Sequence, residues 1–136
     1  MEKNLKKVFL SLMILAVSLF ADYKSEYLTQ DILQSGIPIV DIRTPGEWRE
    51  TGILKGAIPI MFFDERGQYN VNDFLKKLNA KVDTKKPFAI ICRTGSRTSM
   101  VGPWLAKELG YKVTNLKGGM MYATKTLGIK TVPYKQ

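Results

Sequence analysis

The run Phe88-Ala89-Ile90-Ile91 constrains this chain more than any other segment. It is short and wholly apolar, the pattern of a buried strand. It ends in Cys92, and a polar loop follows at once, Arg93-Thr94-Gly95-Ser96-Arg97-Thr98. Behind the loop, the spacing of apolar residues predicts a helix over Thr98 to Leu109. A buried strand feeding a helix through a tight loop is the unit from which parallel α/β sheets are built.

The rest of the chain repeats that alternation. A short first strand is expected over residues 23–28. Thr29 can cap a helix over Gln30 to Gln34, ended by Gly36. Ile37 to Ile42 reads as the next strand, with Pro38 tolerable near its start. Glu47 to Thr51 reads as one helical turn. Ala57 to Ile60 is a strand interrupted by Pro59. Asn72 to Leu78 is helical, with Phe74, Leu75 and Leu78 on one face. Lys112 to Leu116 is the last main strand, and Gly118 to Leu127 a glycine turn and helix. Gly102-Pro103 is expected to shorten or bend the helix after the loop, because proline removes a backbone donor. Trp104 and Leu105 fit core packing better than a ligand-binding aromatic box. The expected class is α/β, an about five-stranded, mainly parallel sheet with helices on both faces.

The chemistry concentrates at Cys92, the one cysteine in 136 residues. A strand end, a tight loop and a helix start aim backbone amides and the positive helix end at one spot. Arg93 and Arg97 add full charges. All of these favour thiolate over thiol, so Cys92 is expected to be an activated nucleophile. The alternative is a buried structural cysteine. Two arginines and a glycine in the next five positions argue against it.

These residues resemble the active-site loop of the rhodanese family. Val40-Asp41-Ile42-Arg43-Thr44-Pro45-Gly46-Glu47-Trp48 is similar to its "DxRxPxEW" segment, Gly52-Ile53-Leu54-Lys55-Gly56-Ala57-Ile58 to its "GHIxGAxx" segment, and Leu116-Lys117-Gly118-Gly119 to its "LxGG". Order and spacing agree from about Tyr23 to Pro133. Two positions depart: the family's histidine falls on Ile53, and its tryptophan after the double glycine on Ala123. The resemblance implies a rhodanese-like fold and a sulfurtransferase that moves a sulfane sulfur, from thiosulfate or polysulfide, through a Cys92 persulfide to a thiophilic acceptor. It implies catalysis by Cys92 and substrate binding by Arg93, Thr94, Gly95, Ser96, Arg97 and Thr98. No cofactor or metal is implied.

Ligands of open parallel sheets bind beyond the carboxyl ends of the strands. Asp41 with Arg43, the Cys92 loop, and the Gly118-Gly119 turn should therefore converge. Arg93 is expected to meet an anionic substrate. Arg97 either braces the loop from within or points to the pocket. Asp41 and Arg43 either orient the loop as a supporting pair or form an ordinary salt bridge at a strand end. Glu47 fits a solvated first-turn glutamate better than a pocket rim. Gly118 and Gly119 fit backbone geometry rather than ligand contact.

Lys3, Lys6 and Lys7 precede an uncharged run from Val8 to Ala21. That run is short of the about 20 residues a membrane span needs. With the charged segment after it, residues 1–21 read as a secretory signal peptide cleaved after Ala21 or after Ser18. Uncleaved, they would be an N-terminal anchor. Residues 22–136 would then be a single rhodanese-like domain, exported and, in a bacterium, periplasmic. A lone cysteine there suggests a deliberate free thiol or an intermolecular disulfide; the loop favours the thiol.

Lys and Arg outnumber Asp and Glu by 21 to 12, a net charge of +9. The lysines are scattered, with no basic helix stripe, so nucleic-acid binding is not expected. Positive charge would steer a small sulfur-containing anion or an acidic partner protein. The acceptor would be a thiol, a cyanide-like group or a partner protein. A second class stays open: a persulfide carrier or binding module with little turnover. A third, a phosphatase or arsenate reductase, is disfavoured. Phosphatases with this fold use five residues between cysteine and arginine, where this chain has four. No second cysteine is present to resolve an intermediate.

Overall fold

The computed structural model describes residues 22–136; the predicted signal segment lies outside them. Five strands form one sheet: β1 Tyr23–Tyr27, β2 Ile39–Asp41, β3 Ile58–Pro59, β4 Phe88–Ile91 and β5 Val113–Lys117. Their order is β1-β5-β4-β2-β3, and every pairing is parallel. The apolar run at Phe88–Ile91 is the middle strand, buried along its whole length. An all-parallel sheet needs cover on both faces, which explains why β4 does not alternate with polar residues.

The helices provide that cover. They are α1 Gln30–Gln34, α2 Pro45–Thr51, α3 Val71–Lys81, α4 Ser96–Leu109 and the single turn α5 Gly119–Met121, which runs into a π-helical segment, Tyr122–Thr126. Phe88, Ile90 and Cys92 enter one core with Phe74 and Leu78 of α3 and Val101 and Leu105 of α4. Ala89 and Ile91 enter a second core with Leu28, Leu54, Leu116, Met120 and Ala123. The period-two alternation of β4 thus assigns Cys92 to the α3/α4 face. Burying a side chain such as Phe88 or Ile90 contributes about 2 kcal/mol.

Local signals set the helix starts. Thr29 caps α1 and accepts from the Ile32 amide at 3.2 Å. Thr44 and Glu47 form a reciprocal capping box at α2, with Pro45 in its first turn. Asn70 caps α3.

The helix is not shortened at Gly102-Pro103. α4 begins at Ser96, ahead of the expected Thr98, and continues through Pro103 to Leu109. The carbonyl that Pro103 leaves without an intrahelical donor belongs to Ser99, an exposed residue whose carbonyl water can reach. Gly102 allows close packing: a Cβ there would meet the Tyr23 ring at 2.7 Å. Trp104 packs against the first core, 6.2 Å from Phe62 between ring centroids. Among the described residues no helix is long and apolar enough to cross a membrane.

Candidate active site

Cys92 follows the last residue of β4 and is fully buried. Gly95 has φ +96°, which turns the chain back over the cysteine before α4 begins. This turn brings the Gly95 amide to the sulfur, donating to Sγ at 3.2 Å. The Thr98 hydroxyl lies 3.5 Å from Sγ and also donates to the Gly95 carbonyl at 3.2 Å. No side chain caps α4, so no side chain takes up its first amides.

The loop is oriented from outside by α5. The Met120 amide donates to the Cys92 carbonyl at 2.8 Å, and the Met121 amide to the Arg93 carbonyl at 3.0 Å. In a planar trans peptide N–H and C=O point opposite ways. The Arg93 and Thr94 amides are therefore turned away from α5. Two consecutive amides of one short helix thus fix two consecutive peptide planes of the loop. Gly119 permits this approach: it has φ +58°, and a Cβ would collide with the Cys92 and Arg93 carbonyl oxygens. The "LxGG" glycine serves backbone geometry, as the sequence suggests.

Arg97 turns to brace rather than to the pocket. Its two terminal nitrogens donate to the two oxygens of Glu47 at 2.7 and 2.8 Å. Glu47 is thus not the solvated glutamate expected from sequence. It is three-quarters buried at its side chain and clamps α4 to α2. The hydrogen bonds from Arg97 hold its carboxyl down to about 2, from a usual 4.5. The reciprocal effect of Glu47 raises Arg97, and the nearby Cys92 and Asp41 add to the rise. The Thr44-to-Glu47 capping-box spacing was a readable signal for the inward turn of Glu47.

Asp41 and Arg43 form a buried pair at the end of β2, at 2.7 Å. Arg43 also donates to Thr51 Oγ1 and the Gly52 carbonyl, and Trp48 Nε1 donates to Asp41 at 3.2 Å. These bonds tie the end of β2 to the middle and the C-terminal end of α2; among the described residues none runs to the Cys92 loop. The pair supports the Glu47 helix rather than touching the sulfur.

Of the remaining loop residues, Arg93, Thr94 and Ser96 are exposed, and Thr98 is fully buried beneath the loop. Arg93 lines a cleft of about 630 Å³. Arg43, Glu47, Glu50 and Thr51 line it too, with Met120, Met121, Thr124 and Lys125, and last Ile129, Lys130 and Thr131. The last group belongs to a C-terminal segment that sequence reading did not place. It is held by an antiparallel bridge between Ile53 and Val132, by Thr131 Oγ1 on the Thr51 carbonyl, and by Tyr134 beside Trp48. Ile53, where a histidine was expected, is an anchor for this segment.

Comparison with known proteins agrees with this architecture. The family pattern described as Rhodanese-like domain matches residues 24–125. The uncharacterized protein RP600 of Rickettsia prowazekii (strain Madrid E) is 34% identical over 84 residues, 60% of this chain and 66% of the relative's own length. A rhodanese-like domain protein from Staphylococcus aureus is 26% identical, with a TM-score of 0.58 over 80% of this chain and 98% of that one. The 30 kDa polysulfide-sulfur transferase homodimer from Wolinella succinogenes shares the fold at a TM-score of 0.60 and 20% identity, over 96% of this chain and 93% of that one.

Proposed function

We propose a function from one established premise: the chain belongs to the rhodanese-like domain family. On this reading it is a sulfurtransferase. The sulfur of Cys92 attacks the outer sulfur of thiosulfate or of a polysulfide. The donor's sulfur–sulfur bond breaks, and sulfite or the shortened polysulfide leaves with the electron pair. Cys92 keeps one sulfur as a persulfide. A thiol or cyanide then attacks that outer sulfur and releases Cys92 as it was.

The observation that carries the reading is the hydrogen bond from the Gly95 amide to Sγ, within a loop whose Cys92 and Arg93 carbonyls are turned outward. Fixed amides near a sulfur that becomes an anionic persulfide stabilise that charge without reorganising. Arg93, exposed at the cleft, is the cation for an incoming anion. Thr94 and Ser96 supply further polar groups on the exposed side of the loop, and Arg97 holds the loop in shape through Glu47.

A second reading has its own support. Cys92 is fully buried, which favours hand-over to one fitted partner protein over free exchange with small acceptors. Such a chain would be a persulfide carrier. Steady-state turnover separates the two. A sulfurtransferase forms thiocyanate continuously from thiosulfate or polysulfide and cyanide. A carrier gives one equivalent and stops. Absence of sulfur transfer with either donor, even in a single turnover, contradicts both.

A further inference from the structure

The two edges of the sheet differ in a way the sulfur chemistry does not use. β3 is short and carries Pro59, which removes an amide donor from that edge. β1 carries no proline, and four of its five residues, Lys24 to Tyr27, are exposed. Among the described residues no strand pairs with its outer side.

The backbone of β1 has a fixed orientation. The Asp22 carbonyl accepts from the Val113 amide, so Asp22 faces β5. Backbone groups of a strand alternate sides, so Tyr23, Ser25 and Tyr27 turn their N–H and C=O groups outward. Side chains alternate too. Ser25 Oγ accepts from Asn115 Nδ2 on the α4 face, while Lys24 and Glu26 share the other face. Neither Lys24 nor Glu26 joins an ion pair among the described residues.

The sequence Tyr23-Lys24-Ser25-Glu26-Tyr27 is complementary to itself in reverse. A twofold axis through Ser25 sets Tyr23 against Tyr27 of a second copy, Lys24 against Glu26, and Ser25 against Ser25. We propose that this chain forms a twofold dimer in which two β1 strands pair antiparallel about Ser25, joining two sheets into one. In that register every outward N–H and C=O meets its counterpart. Lys24 and Glu26 fall at the non-hydrogen-bonded positions, where opposed side chains approach closest. Registers centred on Lys24 or on Glu26 would oppose like charges. An edge lysine ordinarily blocks strand addition; here the glutamate of the second copy neutralises it. Pairing would also cover Tyr27, which is half exposed and already packed against the tilted Tyr122 ring at 4.5 Å between centroids. A contact of this size lies at the weak end of specific interfaces, so the dimer is reversible.

Sedimentation of the full chain from about 1 μM to about 1 mM reads this directly. The wild type should pass from monomer to dimer within that range. Lys24→Glu and Glu26→Lys should each move the midpoint about tenfold or more to higher concentration. Lys24→Glu/Glu26→Lys should restore it, and the two single variants mixed in equal amounts should associate with each other. In a Cys92→Ser background, Ser25→Cys should form an interchain disulfide on mild oxidation, since paired residues there lie about 5.5 Å apart at Cα. A chain that stays monomeric throughout and gives no Ser25→Cys cross-link overturns the proposal. So does a dimer indifferent to both charge reversals.

Discussion

Glu47 and Arg97 stand fifty positions apart in sequence, yet hold each other by two parallel hydrogen bonds. Their geometry is the bidentate fork that gives an arginine–carboxylate pair its directionality. It joins the first turn of α2 to the first turn of α4, and so fixes the far end of the Cys92 loop.

The pair sets an acid limit on stability. Glu47 protonates near 4.5 in the unfolded chain and near 2 in the folded one. Between those values the folded chain binds fewer protons, so stability falls as pH drops through that window. Glu47→Gln keeps a capping side chain but loses the ion pair. It should cost about 1 kcal/mol at neutral pH, allowing for solvent screening of a partly exposed pair. Urea unfolding of both proteins should show that difference above pH 4.5 and little of it near pH 2. A difference constant over the whole range contradicts this role.

Gly119→Ala should cost more than about 2 kcal/mol, because a Cβ there meets two loop carbonyls as well as a positive φ. Gly36→Ala isolates the backbone effect: it has φ +77° and open space around it. It should cost about 1 kcal/mol. Equal losses in thermal or urea unfolding would mean that α5 does not press on the loop.

Asp41→Asn should destabilise by about 3–5 kcal/mol, since it leaves the buried Arg43 guanidinium without its counter-ion. Asp31→Asn, in the first turn of α1 on the surface, should change stability by less than about 0.5 kcal/mol. Urea midpoints at neutral pH check both.

What the sequence made legible was local. The uniform apolarity of Phe88–Ile91 marked the central strand, and Thr29 marked the start of α1 where it is found. The approach at Gly119 was flagged by residue type, although what that glycine approaches depends on the fold; Gly95 was read only as part of the tight loop. Long-range partnerships were not legible. Nothing near Glu47 in sequence names Arg97; the Thr44 spacing signals the capping box, but not the partner that the carboxyl meets across the site. Pro103 was expected to shorten or bend the helix because propensity weighs the missing donor and not the packing of Val101 and Leu105 that holds the helix on both sides of it. The C-terminal segment around Val132 has no periodicity, since its few bonds go to Thr51 and Ile53. The π-helical segment at Tyr122–Thr126 carries no recognised local pattern and was read as ordinary helix.

The proposed sulfurtransferase chemistry requires Cys92 itself to carry the transferred sulfur. The direct measurement is intact and peptide mass spectrometry after brief exposure to thiosulfate or polysulfide, followed by removal of the excess donor. The expected result is a gain of one sulfur atom on the peptide containing Cys92, its loss on adding cyanide with formation of thiocyanate, and no gain in Cys92→Ser, which stays folded. A Cys92 peptide of unchanged mass after both donors, or a Cys92→Ser protein that still transfers sulfur, would contradict it.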